Sequence, residues 1–396
     1  KSGRPRIVSS LYERLGAQGA CFGSKLGWER PNWFAPSGVA PADAYSMGRQ
    51  NWFPHVGGEH RAVREGAGLF DQSSFAKYEM RGPGAAAALD WIIANRVPKP
   101  GRLAYTQMLN SRGGIECDLT VARLSEDHFY IVTGTGFRTH DFAWIADHIP
   151  AGLEARLDDV TEAFGTLSLM GPRAREVLAR VTGADVGPEA FPFCAVREIE
   201  IAGHRLRALR ITYVGELGWE LHIPIAAIGA VYDALMAVGG VANAGYRAIE
   251  SLRLEKGYRA WGADITPNDS PFQAGLGWAV KLKSNSDFLG RAASEKIARE
   301  PLVKMLAGFT TEREDIVLVG RETILRNGEF AGYLTSGGYG YTVGKPIGYG
   351  YVRNAAGVTE DYVRGGRYEL VVAKETVAAK AHLEPLYDPA NLRVKA

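Results

Sequence analysis

The chain has 396 residues, 46% of them apolar, enough for two to three well-filled domains at roughly 150 residues each. Lysine and arginine number 46 against 44 aspartates and glutamates, a net charge of +2, which excludes the single-sign field that nucleic acid or an anionic membrane surface calls for. The 48 glycines, about 12% against a usual roughly 7%, come without a collagen period and alongside many aromatics, so the chain reads as turn-rich, partly β and folded.

Residues 1–35 carry a helical opening over 8–15 and then a Gly-rich, aromatic stretch, Cys21 to Phe34, too apolar for a solvated linker. A helix is expected over 60–69, ended by Gly68, with Leu69-Phe70-Asp71 starting a strand, and another over 85–93 that stops before Pro98. The pattern then becomes a meander: strands over 104–110, 117–124 and 129–133, the first two joined at Gly113-Gly114. Alternation over 198–201 and 206–211 around Ala202-Gly203 predicts a second hairpin. Helices follow over 226–238 and 247–256, and after about residue 290 short strands broken by Gly predict a small antiparallel barrel or sandwich.

Cys21, Cys117 and Cys194 are scattered, with no zinc-like spacing, which points to a reducing compartment, cytoplasm or mitochondrial matrix, and to no metal. No apolar run approaches about 18 residues, and the opening Lys-Ser-Gly-Arg-Pro-Arg has neither Met nor a signal core. The expectation is no membrane span and either a downstream piece of a longer protein or a processed product. Gly134-Thr135-Gly136 lacks the third glycine of a dinucleotide loop, and Gly340 to Lys345 ends Gly-Lys-Pro where a phosphate loop needs Ser or Thr. Neither H-E-x-x-H nor G-x-S-x-G occurs, so hydrolytic metal and triad chemistry are disfavoured.

Three stretches can carry chemistry. In Tyr105 to Val121, paired strands around the Gly-Gly turn let Tyr105 and Asp118 share a face; Asp118, between Cys117 and Leu119, is either a buried carboxylate with a raised pKa or partner, or an edge residue facing water. In Tyr213-Val214-Gly215-Glu216-Leu217-Gly218-Trp219-Glu220 a tight turn places Tyr213 and Glu220 on opposing arms. A Glu there suits an amino-pyrimidine or guanidine-like edge, and a plain surface hairpin is the alternative. On the helix from Tyr246 to Lys256, Arg247 shares a face with Glu250 and Ser251, either as a polar contact or as a solvated pair.

Together these stretches resemble the T-protein (aminomethyltransferase) family of the glycine cleavage system, most closely the folate-binding C-terminal half of dimethylglycine and sarcosine dehydrogenases. The resemblance also rests on Gly66 to Ser74, Asn268 to Lys281 and Ser336-Gly337-Gly338-Tyr339-Gly340, in order. It implies an α+β, three-domain cloverleaf with a C-terminal antiparallel β-barrel or sandwich: a connecting segment at 1–35, a two-part folate-binding region at 36–295 and the barrel at 296–396. It further implies tetrahydrofolate in a central channel, Asp118 as the catalytic residue and Tyr105, Tyr213, Glu220 and Arg247 as folate contacts. Two departures from the family pattern stand out, Cys117 in place of an Asp and Gln273 in place of a Glu.

The function implied is capture of the methyl-derived carbon of an N-methyl amine, as an iminium or as formaldehyde, to give 5,10-methylenetetrahydrofolate. No flavin fingerprint occurs in the chain, so FAD is expected only on a further domain or a partner subunit. Two rivals stay open: a stand-alone tetrahydrofolate-dependent demethylase giving 5-methyltetrahydrofolate, and a folate-binding module without turnover.

Overall fold

The computed structural model describes residues 3–396. The chain opens with α1 (Tyr12–Ala17) and a hairpin of β1 (Ala20–Lys25) and β2 (Trp28–Phe34), then runs through α2 (Phe53–Glu65) into β3 (Ala67–Asp71). It next builds β4 (Ala76–Arg81), α3 (Ala85–Ile92), the meander β5 (Arg102–Leu109), β6 (Ile115–Ser125) and β7 (His128–Thr133), α4 (Arg138–Asp147) and β8 (Arg156–Asp159). It returns through β9 (Phe164–Met170), α5 (Ala174–Val181), the hairpin β10 (Val196–Ile201) and β11 (His204–Leu209), β12 (Gly218–Pro224), α6 (Ile228–Ala237), β13 (Val241–Asn243) and α7 (Tyr246–Lys256). Helix α8 (Arg291–Arg299) leads to β14 (Lys304–Thr311), β15 (Thr323–Arg326), β16 (Glu329–Gly340), β17 (Lys345–Arg353), α9 (Glu360–Arg364), β18 (Tyr368–Val372), β19 (Glu375–His382) and α10 (Leu392–Lys395).

Beyond the two-stranded β1–β2 sheet, the strands form three bodies, each with its own apolar core. A six-stranded sheet runs β10-β11-β12-β9-β3-β13, a five-stranded antiparallel sheet runs β5-β6-β7-β4-β8, and the last six strands close into a barrel, β14-β17-β16-β15-β18-β19. Closure through the β14–β19 pair decides for a barrel over a sandwich and leaves no free edge. Leu103, Ala122, Tyr130, Val132, Val196 and Leu209 form a smaller cluster where the two open sheets meet.

The helix expected over 60–69 instead occupies Phe53–Glu65, with Pro54 in its first turn where a missing N–H costs nothing. Gly68 lies in β3, between β9 and β13; strand pairing on both sides overrides the local helical pattern. The opening helix likewise begins later than the pattern suggests, at Tyr12. A division at 295–296 would run through α8, which is the connection to the barrel.

Glu59 fastens the leading hairpin to α7. Its carboxylate accepts the Phe34 N–H at 2.6 Å and the Gly245 N–H at 2.8 Å, and Gly245 has no Cβ because one there would run into the Asn32 carbonyl. Burial pushes the Glu59 carboxyl up to about 7, against the pull of those two N–H groups. A folded-state pKa above the unfolded one means that stability is fully present below the unfolded value near 4.5 and declines as pH rises through about 7. Over that window wild type is expected to lose on the order of 3 kcal/mol from this group. Urea unfolding at pH 5 and pH 8 checks this: Glu59→Gln should show a flatter pH dependence, and parallel curves for the two proteins would refute the assignment.

Candidate functional site

Hairpin register decides what surrounds Asp118. With Gly113 at φ 77° in the turn, Gln107 pairs with Asp118 and Tyr105 with Thr120, so Tyr105, Gln107 and Asp118 project to one face. Gln107 Nε2 donates to Asp118 Oδ1 at 2.8 Å, and the Tyr105 hydroxyl approaches the same carboxylate. Cys117, Leu119 and Val121 fill the core of the five-stranded sheet. Asp118, Thr120 and Ala122 therefore point the other way, where Ala122 packs with Tyr130 and with Leu209 of the six-stranded sheet.

Asp118 is thus recessed between the two sheets while keeping some access to solvent. Burial pushes its carboxyl up to about 6; hydrogen bonds from Gln107 and Tyr105 oppose the rise, and the charge of Asp141 adds to it. A carboxyl poised there can take up and release a proton near neutral pH.

Tyr213 lies within electrostatic reach of Asp118. Its hydroxyl donates to the Arg259 carbonyl at 2.9 Å, and its ring stacks on Tyr258 at 5.9 Å and 15°. Glu220 shares a face of β12 with His222, opposite Trp219 and Leu221, which fill the six-stranded core. Tyr130, from β7 of the other sheet, reaches His222 Nδ1 at 3.1 Å, so this face also opens on the space between the sheets. Burial drives His222 toward its neutral form, and its Nε2 lies 3.5 Å from Glu220 Oε2. Lys77, wholly buried, donates to the Ser73 and Phe164 carbonyls at 2.8 and 2.7 Å. Burial takes its pKa down to about 7, with Asp71 and Glu220 among the charges that oppose this.

The other acid of the turn, Glu216, is structural: it is wholly buried and bonded to Arg64 at 3.1 Å and Tyr387 at 2.5 Å. Arg247 is not brought to the Asp118 group. Its guanidinium donates to Asp43 at 2.7 Å and lies over the Trp52 ring at 4.3 Å, because the loop before α2 supplies both an anion and an aromatic face. With Glu250 and Ser251 it lines a cavity of about 400 Å³ against the barrel, to which the five-stranded sheet contributes nothing. Gln107 is a site residue that spacing alone did not single out, although its place two residues beyond Tyr105 on one strand marks the same face.

The two departures have local explanations. Gln273 Oε1 accepts the Ser270 N–H at 3.0 Å, an acceptor role open to Glu as well. Cys117 packs behind Asp118 near Asp141, which accepts from Thr133 at 2.6 Å and meets His140 at 2.9 Å. The ligand atoms of Cys117, His140 and Asp141 lie within 4.8 Å of one another, a grouping invisible in linear spacing. Their mutual hydrogen bonds account for the approach.

The model of the GCVT N-terminal domain matches residues 11–284, and that of the glycine cleavage T-protein C-terminal barrel domain matches 304–388. The chain belongs to the glycine cleavage T-protein family. The crystal structure of aminomethyltransferase T from Bartonella henselae superposes with a TM-score of 0.83 at 28% identity, covering 97% of this chain and 99% of that one. Human mitochondrial sarcosine dehydrogenase is 39% identical across all of this chain and 48% of its own length. The mouse mitochondrial pyruvate dehydrogenase phosphatase regulatory subunit is 35% identical over 98% of this chain and 46% of its own. The chain therefore spans about half the length of these two relatives. Because the T-protein match begins at residue 11, the Cys21 to Phe34 hairpin falls inside the matched domain, although the resemblance implies a connecting segment at 1–35. Among the described residues no helix is long and apolar enough to cross a membrane.

Proposed function

We propose that this chain is the folate-handling portion of a larger flavin-dependent N-methyl amine dehydrogenase and captures the released carbon as 5,10-methylenetetrahydrofolate. The observation that carries this is Asp118: a recessed carboxyl poised near pH 6, with Gln107 and Tyr105 beside it. Tetrahydrofolate suits what surrounds it. Gln107 Oε1 is buried without a hydrogen-bond partner, where buried polar groups ordinarily pair, and Glu220 can take the N–H groups of an amino-pyrimidine edge. Tyr105 and Tyr213 offer apolar walls with polar tips.

In this reading the iminium or formaldehyde carbon becomes bonded to both folate nitrogens, and the amine or water leaves. Each folate nitrogen loses one proton: the first is carried off on the departing amine or oxygen, and Asp118, having stabilised the cationic carbon, accepts the second as the bridge closes and releases it to solvent, which also supplies the further proton that a departing hydroxyl needs. Glu220, oriented by His222, holds the pterin, while the sheets exclude bulk water. FAD would belong to a further domain or partner, and the compartment expected is cytoplasm or mitochondrial matrix.

Incubation with tetrahydrofolate and ¹³C-formaldehyde, followed by mass and absorbance of the product, tests this. The label is expected in the methylene bridge at a rate well above that of the spontaneous condensation measured without protein, and a rate equal to that background would overturn the reading. Labelled 5-methyltetrahydrofolate from an N-methyl donor would instead favour the demethylase, and tight folate binding with no transfer would favour a module without turnover.

A further inference from the structure

The leading hairpin carries a cation without an anion. Arg30 extends from the half-buried face of β2, and its guanidinium carbon sits 3.7 Å from the centre of the Tyr246 ring. Its Nε is buried and has no hydrogen-bond partner. Its neighbours differ: Arg4 is paired with Glu29 at 2.5 Å and Arg247 with Asp43 at 2.7 Å. Among the described residues no carboxylate comes within 4 Å of Arg30. Arg30 Nε is thereby withdrawn from water without a partner, which is costly, and the ring beneath the guanidinium recovers only part of that cost.

The position of Arg30 is fixed, close to the strand ends of the two open sheets. Tyr246 opens α7, and its hydroxyl lies 3.3 Å from Ser74 Oγ, itself 2.8 Å from Thr135 Oγ1. Ser74 follows β3 of the six-stranded sheet and Thr135 follows β7 of the five-stranded one, so Arg30 stands where the ends of both sheets converge. Asp71 acts electrostatically on Tyr246 on one side and on Lys77 on the other, and Lys77 in turn feels Glu220. The Glu59 clamp and the close approach of Gly245 to Asn32 hold the hairpin against α7, so the fork is preorganised.

We propose that Arg30 is a ligand-binding residue of the channel, donating its free N–H groups to a carbonyl or carboxylate oxygen of tetrahydrofolate. This rests on the folate reading above. It gives the Cys21 to Phe34 hairpin a part in recognition and places the folate-directed arginine on β2 instead of at Arg247. An arginine suits the task because its planar fork can stack on Tyr246 and donate in its own plane at once.

The test is the tetrahydrofolate Kd of the whole chain, measured by titration calorimetry for wild type, Arg30→Met and Arg30→Lys, with thermal melts to verify folding. Arg30→Met keeps an apolar stem over Tyr246 and should bind about 10- to 100-fold more weakly, the loss typical of a hydrogen bond to a charged group. Arg30→Lys keeps the charge without the fork, should fall between, and serves alone if the Met variant does not fold. Repeating the series with tetrahydropteroate, which lacks the glutamate, separates the sources: an equal loss identifies a pterin carbonyl, and a vanished loss identifies a glutamyl carboxylate. Wild type that binds while both variants match it overturns the Arg30 assignment alone. Wild type that does not bind tetrahydrofolate overturns the folate reading beneath it.

Discussion

Asp118→Asn is expected to lower folate-dependent carbon transfer by roughly 10²- to 10⁴-fold, the range for a positioned acid–base group, while leaving folate affinity within a few-fold of wild type. The substitution is conservative where it needs to be. Asn keeps an Oδ1 for the Gln107 Nε2 donor, so the face stays assembled and only the capacity to accept a proton goes. The pH profile gives a second check. With the carboxyl pushed up to about 6, wild type should gain activity as pH rises through that value, because the unprotonated form is the one that accepts the proton. The variant should lack this step. Its unfolding midpoint above pH 6 should also rise, since a desolvated carboxylate is removed. An unchanged rate of product formation in Asp118→Asn would sink the assignment.

How far the sequence carries this site depends on whether the deciding contacts are local. The Gly-Gly turn and alternating strands already place Tyr105 and Asp118 on one face, because period-2 geometry leaves no other choice once the turn is located. The helix face of Arg247, Glu250 and Ser251 is likewise legible, and the three do line one cavity. What faces them is not legible: Asp43 and Trp52 arrive from a loop whose path is set by tertiary packing. The same holds for Arg30 and Tyr246, which meet across more than two hundred residues. Glu216 and Glu220 look alike in one turn, and only the positions of Arg64 and Tyr387 make the first a structural acid.

The largest effect on stability is expected at Glu255, which joins the barrel to the helices. Its Oε1 accepts the Thr342 and Val343 N–H groups of the β16–β17 turn at 2.7 and 3.0 Å, and its Oε2 accepts from Arg64 on α2 at 3.0 Å, with His60 Nε2 at 3.3 Å. Burial works to raise its pKa, but His60, Arg64 and the Val343 N–H outweigh it and hold the carboxyl at about 2. His60 is itself driven toward neutral by burial, so near pH 7 Arg64 and the two N–H groups carry the hold. Glu255→Ala strands those donors and leaves Arg64 with Glu216 as its one carboxylate partner beside the Val214 and Leu252 carbonyls, a loss of about 3–5 kcal/mol by the usual penalty for breaking a buried pair. Because the depressed pKa contributes stability above about 4.5 that is lost as pH falls toward 2, the gap between wild type and variant should narrow in acid. Urea unfolding at pH 7 and pH 3 measures both effects. A loss below about 1 kcal/mol at pH 7, the scale of an exposed pair, would show that the latch is not what holds the barrel against α2 and α7.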